Sequence, residues 1–127
     1  MSQTKSFKGI FPPITTPFVS EGPRKGEVDR EALARNVERY FQTDLAGLVV
    51  LGSNGEFPLL SFEEKVQIFQ TVKDVASRQE RNGRKKLLIA GTGTVNTRDT
   101  ILLTKEAHRI GFDAAMVVTP VRFPFQQ

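Results

Sequence analysis

One stretch constrains this chain more than any other: Leu48-Val49-Val50-Leu51-Gly52-Ser53-Asn54-Gly55-Glu56. Its apolar part runs without alternation and breaks into two glycines that bracket a hydroxyl and an amide. An unbroken apolar run this short reads as a strand buried on both faces, the habit of parallel sheets covered by helices. The pattern returns in Leu87-Leu88-Ile89-Ala90, which ends in Gly91-Thr92-Gly93-Thr94. It returns again in Ala114-Ala115-Met116-Val117-Val118, which stops at Thr119-Pro120. Ile10 to Thr15 also reads as extended, but Pro12 and Pro13 mark it as an edge or irregular strand.

Helical patterns fill the gaps. Asp29 caps the first helix, with Val28 and Leu33 spaced for a hydrophobic staple and Leu33, Val37, Tyr40 and Phe41 on one stripe. Ser61-Phe62-Glu63-Glu64 fits a capping box, and Phe62, Val66, Phe69, Val72 and Ala76 line the helix that follows. Asn96 or Thr97 opens the third helix, with Leu103, Ala107 and Ile110 inward and Gly111 where a left-handed cap belongs. The order is strand, helix, strand, helix, strand, helix, strand. Two architectures fit it: an open doubly wound sheet, or part of a (β/α)8 barrel. A complete barrel takes about 250 residues. The chain's 127 residues supply four strands, the last without its helix. They read as a single domain over 1–127, with a loose polar start at 1–8 and an irregular tail at 121–127.

Composition narrows the chemistry. Hydrophobic residues make up 39% and charged residues 25%, the balance of a globular chain. There is no cysteine, which excludes disulfides and thiolate chemistry. No apolar run approaches a membrane span, and the first residues lack the apolar core of a signal peptide. The expectation is a soluble, cytoplasmic protein with no membrane partner. The net charge is +4, and much of the excess clusters in Arg78, Arg81, Arg84, Lys85 and Lys86. No aromatic residue interleaves with that cluster and no nucleic-acid motif accompanies it. It reads as a solvated loop, with no nucleic acid as partner.

In parallel α/β folds the site lies at the carboxyl ends of the strands. Those ends carry Thr15-Thr16, Gly52 to Glu56, Gly91 to Thr94 and Thr119. Hydroxyls and glycine amides suit a carboxylate or oxyanion, because donors converge without a competing charge. Glycine and threonine also simply make good turns, and each loop alone favours that plainer reading. Sharper motifs fail. Gly91-Thr92-Gly93 lacks the third glycine of a dinucleotide fingerprint, since Asn96 stands there, and Gly52-Ser53-Asn54-Gly55 is not a nucleophile elbow. His108 is the only histidine, so a zinc site is not expected and His108 reads as a surface or half-buried helix residue. Glu56 is either a base or a turn stabiliser, with the structural role favoured.

These motifs resemble a known family. Gly52-Ser53-Asn54-Gly55-Glu56 is similar to the Gly-x-x-Gly-Glu signature of the dihydrodipicolinate synthase / N-acetylneuraminate lyase family. Pro13 to Phe18 resembles that family's first strand, and Ile89 to Gly93 and Val117 to Pro120 its third and fourth. The string through Phe57 and Pro58 looks closest to the 4-hydroxy-2-oxoglutarate aldolase branch.

The resemblance implies the amino-terminal half of a TIM (β/α)8 barrel, in oligomers that join or cleave a pyruvate unit. A lysine forms a Schiff base with the 2-oxo acid, so no metal or organic cofactor is needed, and the protonated imine is the electron sink. Carried over by position, Ser53 is the proton-relay hydroxyl and a carboxylate donor, and Asn54 is its carboxylate-binding neighbour. The family's lysine lies on the sixth strand and its main tyrosine on the fifth. Lys5, Lys8, Lys25, Lys65, Lys73, Lys85, Lys86 and Lys105 all fall elsewhere than the carboxyl end of a strand, and Tyr40 lies on a helix. Val121-Arg122-Phe123 stand where the family usually has tyrosines. The expectation is a truncated chain that carries the carboxylate-binding half of a class I aldolase-type lyase, without its Schiff-base lysine. The alternative is a non-catalytic fragment or interaction module of the same family. Open edges at the first and fourth strands imply a homo-oligomer or self-association.

Overall fold

The structure, a computed structural model, describes residues 4–119. The expectations for Pro120 and for the tail 121–127 lie outside the described residues, as do those for the first three.

Three helices alternate with three strands: α1 (Arg30–Phe41), β1 (Gly47–Val50), α2 (Phe62–Arg81), β2 (Leu87–Gly91), α3 (Thr97–Ile110) and β3 (Ala114–Met116). The strands are parallel and stand in sequence order, β1-β2-β3, with Val49 opposite Ile89 and Ile89 opposite Ala114. The extended segment at 10–15 adds a fourth member beside β1. It forms only one bridge, Pro13 with Val49, because neither proline has an N–H to give a ladder. Its hydrogen bonds still run on both sides of the prolines. Ile14 donates to Val49 at 2.9 Å, Val49 to Pro12 at 3.0 Å and Ala46 to Ile10 at 3.1 Å.

This order decides between the two architectures. A doubly wound sheet reverses its strand order at a switch point, whereas here every crossover steps the same way. Right-handed crossovers that all step one way lay every helix on the same face, as in a barrel wall.

The caps explain where the helices begin. The Asp29 carboxylate accepts from Ala32 N at 2.9 Å. Ser61 and Glu64 form the full capping box, Glu64 N to Ser61 Oγ at 3.1 Å and Ser61 N to Glu64 Oε2 at 2.7 Å. Asn96 accepts from Asp99 N at 2.8 Å, and Gly111 ends α3 at φ 105°.

The core lies between the helices and one face of the sheet. Leu33, Val37 and Phe41 of α1, and Ile68, Phe69, Val72 and Val75 of α2, pack with Leu48, Val50, Leu88 and Ala90. Phe69 also meets Phe112 with ring centroids 4.9 Å apart. Two expectations need correction. The α2 stripe is shifted: Phe69, Val72 and Ala76 are buried as expected and are joined by Lys65, Ile68 and Val75, while Phe62 and Val66 are only half-buried at its margin. β1 is buried on both faces, as expected, but β2 and β3 are not. Leu87 and Ile89 are half-buried, and Ala115, Met116, Val117 and Val118 are exposed. Helices cover one face only, so the other remains partly open. The last strand stops at Met116 and the first full strand at Val50, one residue short of its apolar run.

The basic cluster is largely tied down, as a solvated loop allows. Arg78 pairs with Glu38 at 3.0 Å and Lys85 with Glu80 at 3.4 Å, while Lys86 donates to the carbonyls of Thr43 (2.6 Å) and Leu45 (2.5 Å). Burial lowers the Lys86 pKa, and Asp44 opposes that. His108 is exposed on α3. No helix among the described residues is long and apolar enough to cross a membrane.

Candidate functional site

The carboxyl ends of the strands meet on one rim, and they interlock. After Val50 the chain turns sharply at Leu51, whose φ of 61° is left-handed. Gly52 is extended, Ser53–Gly55 forms one 3-10 turn, and Glu56 returns the chain through a second left-handed residue at φ 57°. Within the turn Gly55 N donates to Gly52 O at 2.9 Å and Glu56 N to Ser53 O at 3.1 Å. The amides of Ser53 and Asn54 have no backbone acceptor among the described residues. Both side chains are exposed, whereas Leu51, Gly52 and Gly55 are buried. The turn thus sets a hydroxyl, a carboxamide and two amide donors, unpaired among the described residues, over the buried Leu51, Gly52 and Gly55. Such a set of uncharged donors can receive a carboxylate.

Two neighbours hold the turn. The buried hydroxyl of Thr16 donates to Gly55 O at 2.7 Å, which ties the first extended segment to it. The Leu51 carbonyl lies against Gly91, in the space a Cβ there would fill. Of the Thr15-Thr16 pair, Thr16 is therefore a latch, while Thr15 is exposed on the opposite side of the segment.

The Gly91-Thr92-Gly93-Thr94 loop is structural, as the plainer reading has it. Thr92 is buried, with its hydroxyl 2.8 Å from that of Thr104 on α3, and Thr104 in turn donates to Thr100 O at 2.7 Å. Thr94 donates to Asn96 O at 2.7 Å and accepts from Asn96 N at 3.3 Å, so it closes the start of α3. Gly93 leaves room for the backbone of Val118. Thr119 is exposed at the end of the described chain. Glu56 is exposed as well; its contribution to the turn is its left-handed backbone.

Sequence reasoning missed two features. Leu51 reads as strand, and nothing in its side chain marks a kink. Lys65 falls within α2 with no role marked by the sequence, yet it is 8% exposed and its Nζ lies 5.9 Å from the Phe57 ring centroid. Burial lowers its pKa, with Asp99 acting in the opposite direction. A signal was present: Lys65 stands at i−4 from Phe69 and i−7 from Val72, within the apolar stripe.

Comparison with known proteins bears on this rim. Residues 6–127 match the Dihydrodipicolinate synthetase family. The chain is 42% identical over 111 residues to the 4-hydroxy-tetrahydrodipicolinate synthase of Bacillus subtilis (strain 168), covering 87% of this chain and 36% of that protein. It is 44% identical over 115 residues to the enzyme of the same name from Ruegeria pomeroyi, covering 90% and 36%. Among solved structures it resembles YagE, a prophage protein of the dihydrodipicolinic acid synthase family from E. coli K12, in complex with pyruvate. That match has a TM-score of 0.81 and 31% identity, over 94% of this chain and 37% of the other. The chain thus spans little more than a third of the length of the relatives it matches. The sheet order and alternating helices correspond to the amino-terminal half of their barrel fold.

Proposed function

The chain belongs to the Dihydrodipicolinate synthetase family, and we propose that it provides the carboxylate-binding turn of a pyruvate-type class I aldolase or lyase. The observation that carries this reading is the turn itself. Ser53 and Asn54 are presented outward on a backbone that Thr16 and Gly91 fix from either side. In this reading the amides and side chains of Ser53 and Asn54 receive the carboxylate of a small 2-oxo acid. The Ser53 hydroxyl also passes a proton during carbon–carbon bond making or breaking. Fixed donors suit this task because they need no reorganisation when charge develops. The covalent step, a Schiff base between a lysine and the 2-oxo group, is assigned to a lysine other than those of residues 1–127, with no metal or organic cofactor.

The names of the relatives favour a condensation of the 4-hydroxy-tetrahydrodipicolinate synthase kind. A second reading, the 4-hydroxy-2-oxoglutarate aldolase branch, rests on Glu56-Phe57-Pro58 alone. The partner expected besides the 2-oxo acid is a second copy of the chain; among the described residues Met116 to Val118 are exposed.

Titration of the isotope-labelled chain with pyruvate tests the proposal through its amide resonances. The shifts should centre on Ser53, Asn54 and Gly55, and Ser53→Ala or Asn54→Ala should each weaken binding about tenfold. Shifts confined to the basic cluster at 78–86 would refute it. Borohydride reduction with pyruvate should leave every lysine of the chain unmodified.

A further inference from the structure

Leu51 is unusual on three counts. It is a bulky non-glycine residue in the left-handed region, it is 2% exposed, and it immediately precedes the turn that presents Ser53 and Asn54. A left-handed L-residue costs about 1–2 kcal/mol, and such residues persist only where the surroundings over-determine them. Here the surroundings are identifiable. β1 and β2 run in register up to Val50 and Ala90, and Leu51 stands where the next ladder partner of Gly91 would be. Instead of continuing the strand, Leu51 turns its carbonyl onto the bare Cα of Gly91. A Cβ at residue 91 would collide with the Leu51 carbonyl carbon as well as its oxygen, and would crowd Val50 O at 3.2 Å. On the other side of the turn Thr16 fixes Gly55 O at 2.7 Å. The path of the three residues between these two anchors, Gly52 to Asn54, is set by where the Leu51 peptide points.

We propose that Leu51 is a positioning residue: its left-handed backbone, seated on Gly91, sets the aim of Ser53 and Asn54 toward a carboxylate. The inference rests on the carboxylate-binding reading of that turn and names the group that shapes it. Leu51 acts through its backbone; its side chain belongs to the core.

The proposal separates two variants that packing alone would rank the other way. Leu51→Val keeps an apolar side chain of nearly the same burial, but a β-branched residue resists positive φ. Leu51→Asn is poorly suited to the core but adopts the left-handed region readily, as does Leu51→Gly. Two readouts apply to the whole chain. In the ligand-free protein, the Ser53 and Asn54 amide resonances should move in Leu51→Val and in Gly91→Ala, and should hold in Leu51→Asn or Leu51→Gly. With pyruvate as the probe, Leu51→Val should bind at least tenfold more weakly than the parent, and Leu51→Asn or Leu51→Gly within threefold. If Leu51→Val leaves the amides and the affinity unchanged while Asn and Gly disturb both, Leu51 is a packing residue and the proposal is overturned. If the parent itself shows no pyruvate response, the carboxylate reading fails. The ligand-free amide pattern still decides whether Leu51 sets the turn.

Discussion

The hydroxyl of Thr16 donates to the carbonyl of Gly55 at 2.7 Å, inside the core and across 39 residues of sequence. It joins the end of a proline-interrupted segment to the turn after β1. The interaction has more at stake than its length implies, because both atoms are buried and water cannot replace either partner. Thr16→Val keeps the shape and removes the donor. The expected cost is about 1–3 kcal/mol in urea unfolding, together with a displaced Gly55 amide resonance. A Thr16→Ser variant, which keeps the hydroxyl, should recover most of that loss.

Gly47 makes the opposite end of β1 equally intolerant. A Cβ there would collide with the Leu87 carbonyl and the Phe11 ring. Neither can retreat freely, since Leu87 is in the β2 ladder and pairs with Gly47 itself. Gly47→Ala should therefore cost at least the ~1–3 kcal/mol typical of overpacking. Gly83→Ala meets no atom within 4 Å and is penalised only by its left-handed φ of 80°. Comparing the two by thermal unfolding separates collision from backbone strain, and an unaltered melting temperature in Gly47→Ala would contradict the packing described here.

The sequence marks most of the fold because local signals agreed with tertiary ones. The Asp29, Ser61 and Asn96 caps, the left-handed Gly111 and the three apolar runs each have a local cause, and each appears where that cause places it. Strand burial was less legible: an unbroken apolar run encodes what both faces can bury, and here helices cover only one. The candidate turn was legible from its glycines and small polar residues. The hold on it was not. Thr16 reaches Gly55 through a long-range contact, and the Leu51 kink depends on the absence of a side chain at Gly91, forty residues away. Neither relation has a local periodicity.

The capping box at α2 should be measurable in isolation from the site. Ser61 and Glu64 satisfy each other's backbone donors at 3.1 and 2.7 Å, at an exposed helix start. Ser61→Ala should cost about 1 kcal/mol. Glu64→Ala should cost less, because the Ser61 amide it leaves behind can bond to water. The double variant should cost less than the sum, since the two bonds form one reciprocal unit. Urea unfolding of the four proteins gives the cycle. Strict additivity would mean that the two bonds form independently.

Lys65 makes the chain's stability depend on pH in a direction opposite to that of a paired lysine. Its ammonium is desolvated against Phe57, and this burial lowers its folded-state pKa, with Asp99 opposing. Between the folded value and the ordinary lysine value, the unfolded chain binds the proton more tightly, so stability rises as pH rises through that window. Below the folded value both states are protonated and the full burial penalty applies. Lys65→Met removes the charge and keeps a flexible apolar stem, at the loss of a cation–π contact of about 0.5–1 kcal/mol. Set against the parent, the variant should therefore look best at neutral pH and lose that advantage as the alkaline range is entered. Urea unfolding of both proteins from pH 7 to pH 10 gives the difference directly, and common effects of other lysines cancel in it. A difference that stays constant, or that grows in the variant's favour with pH, would mean that the Lys65 ammonium is solvated in the folded chain.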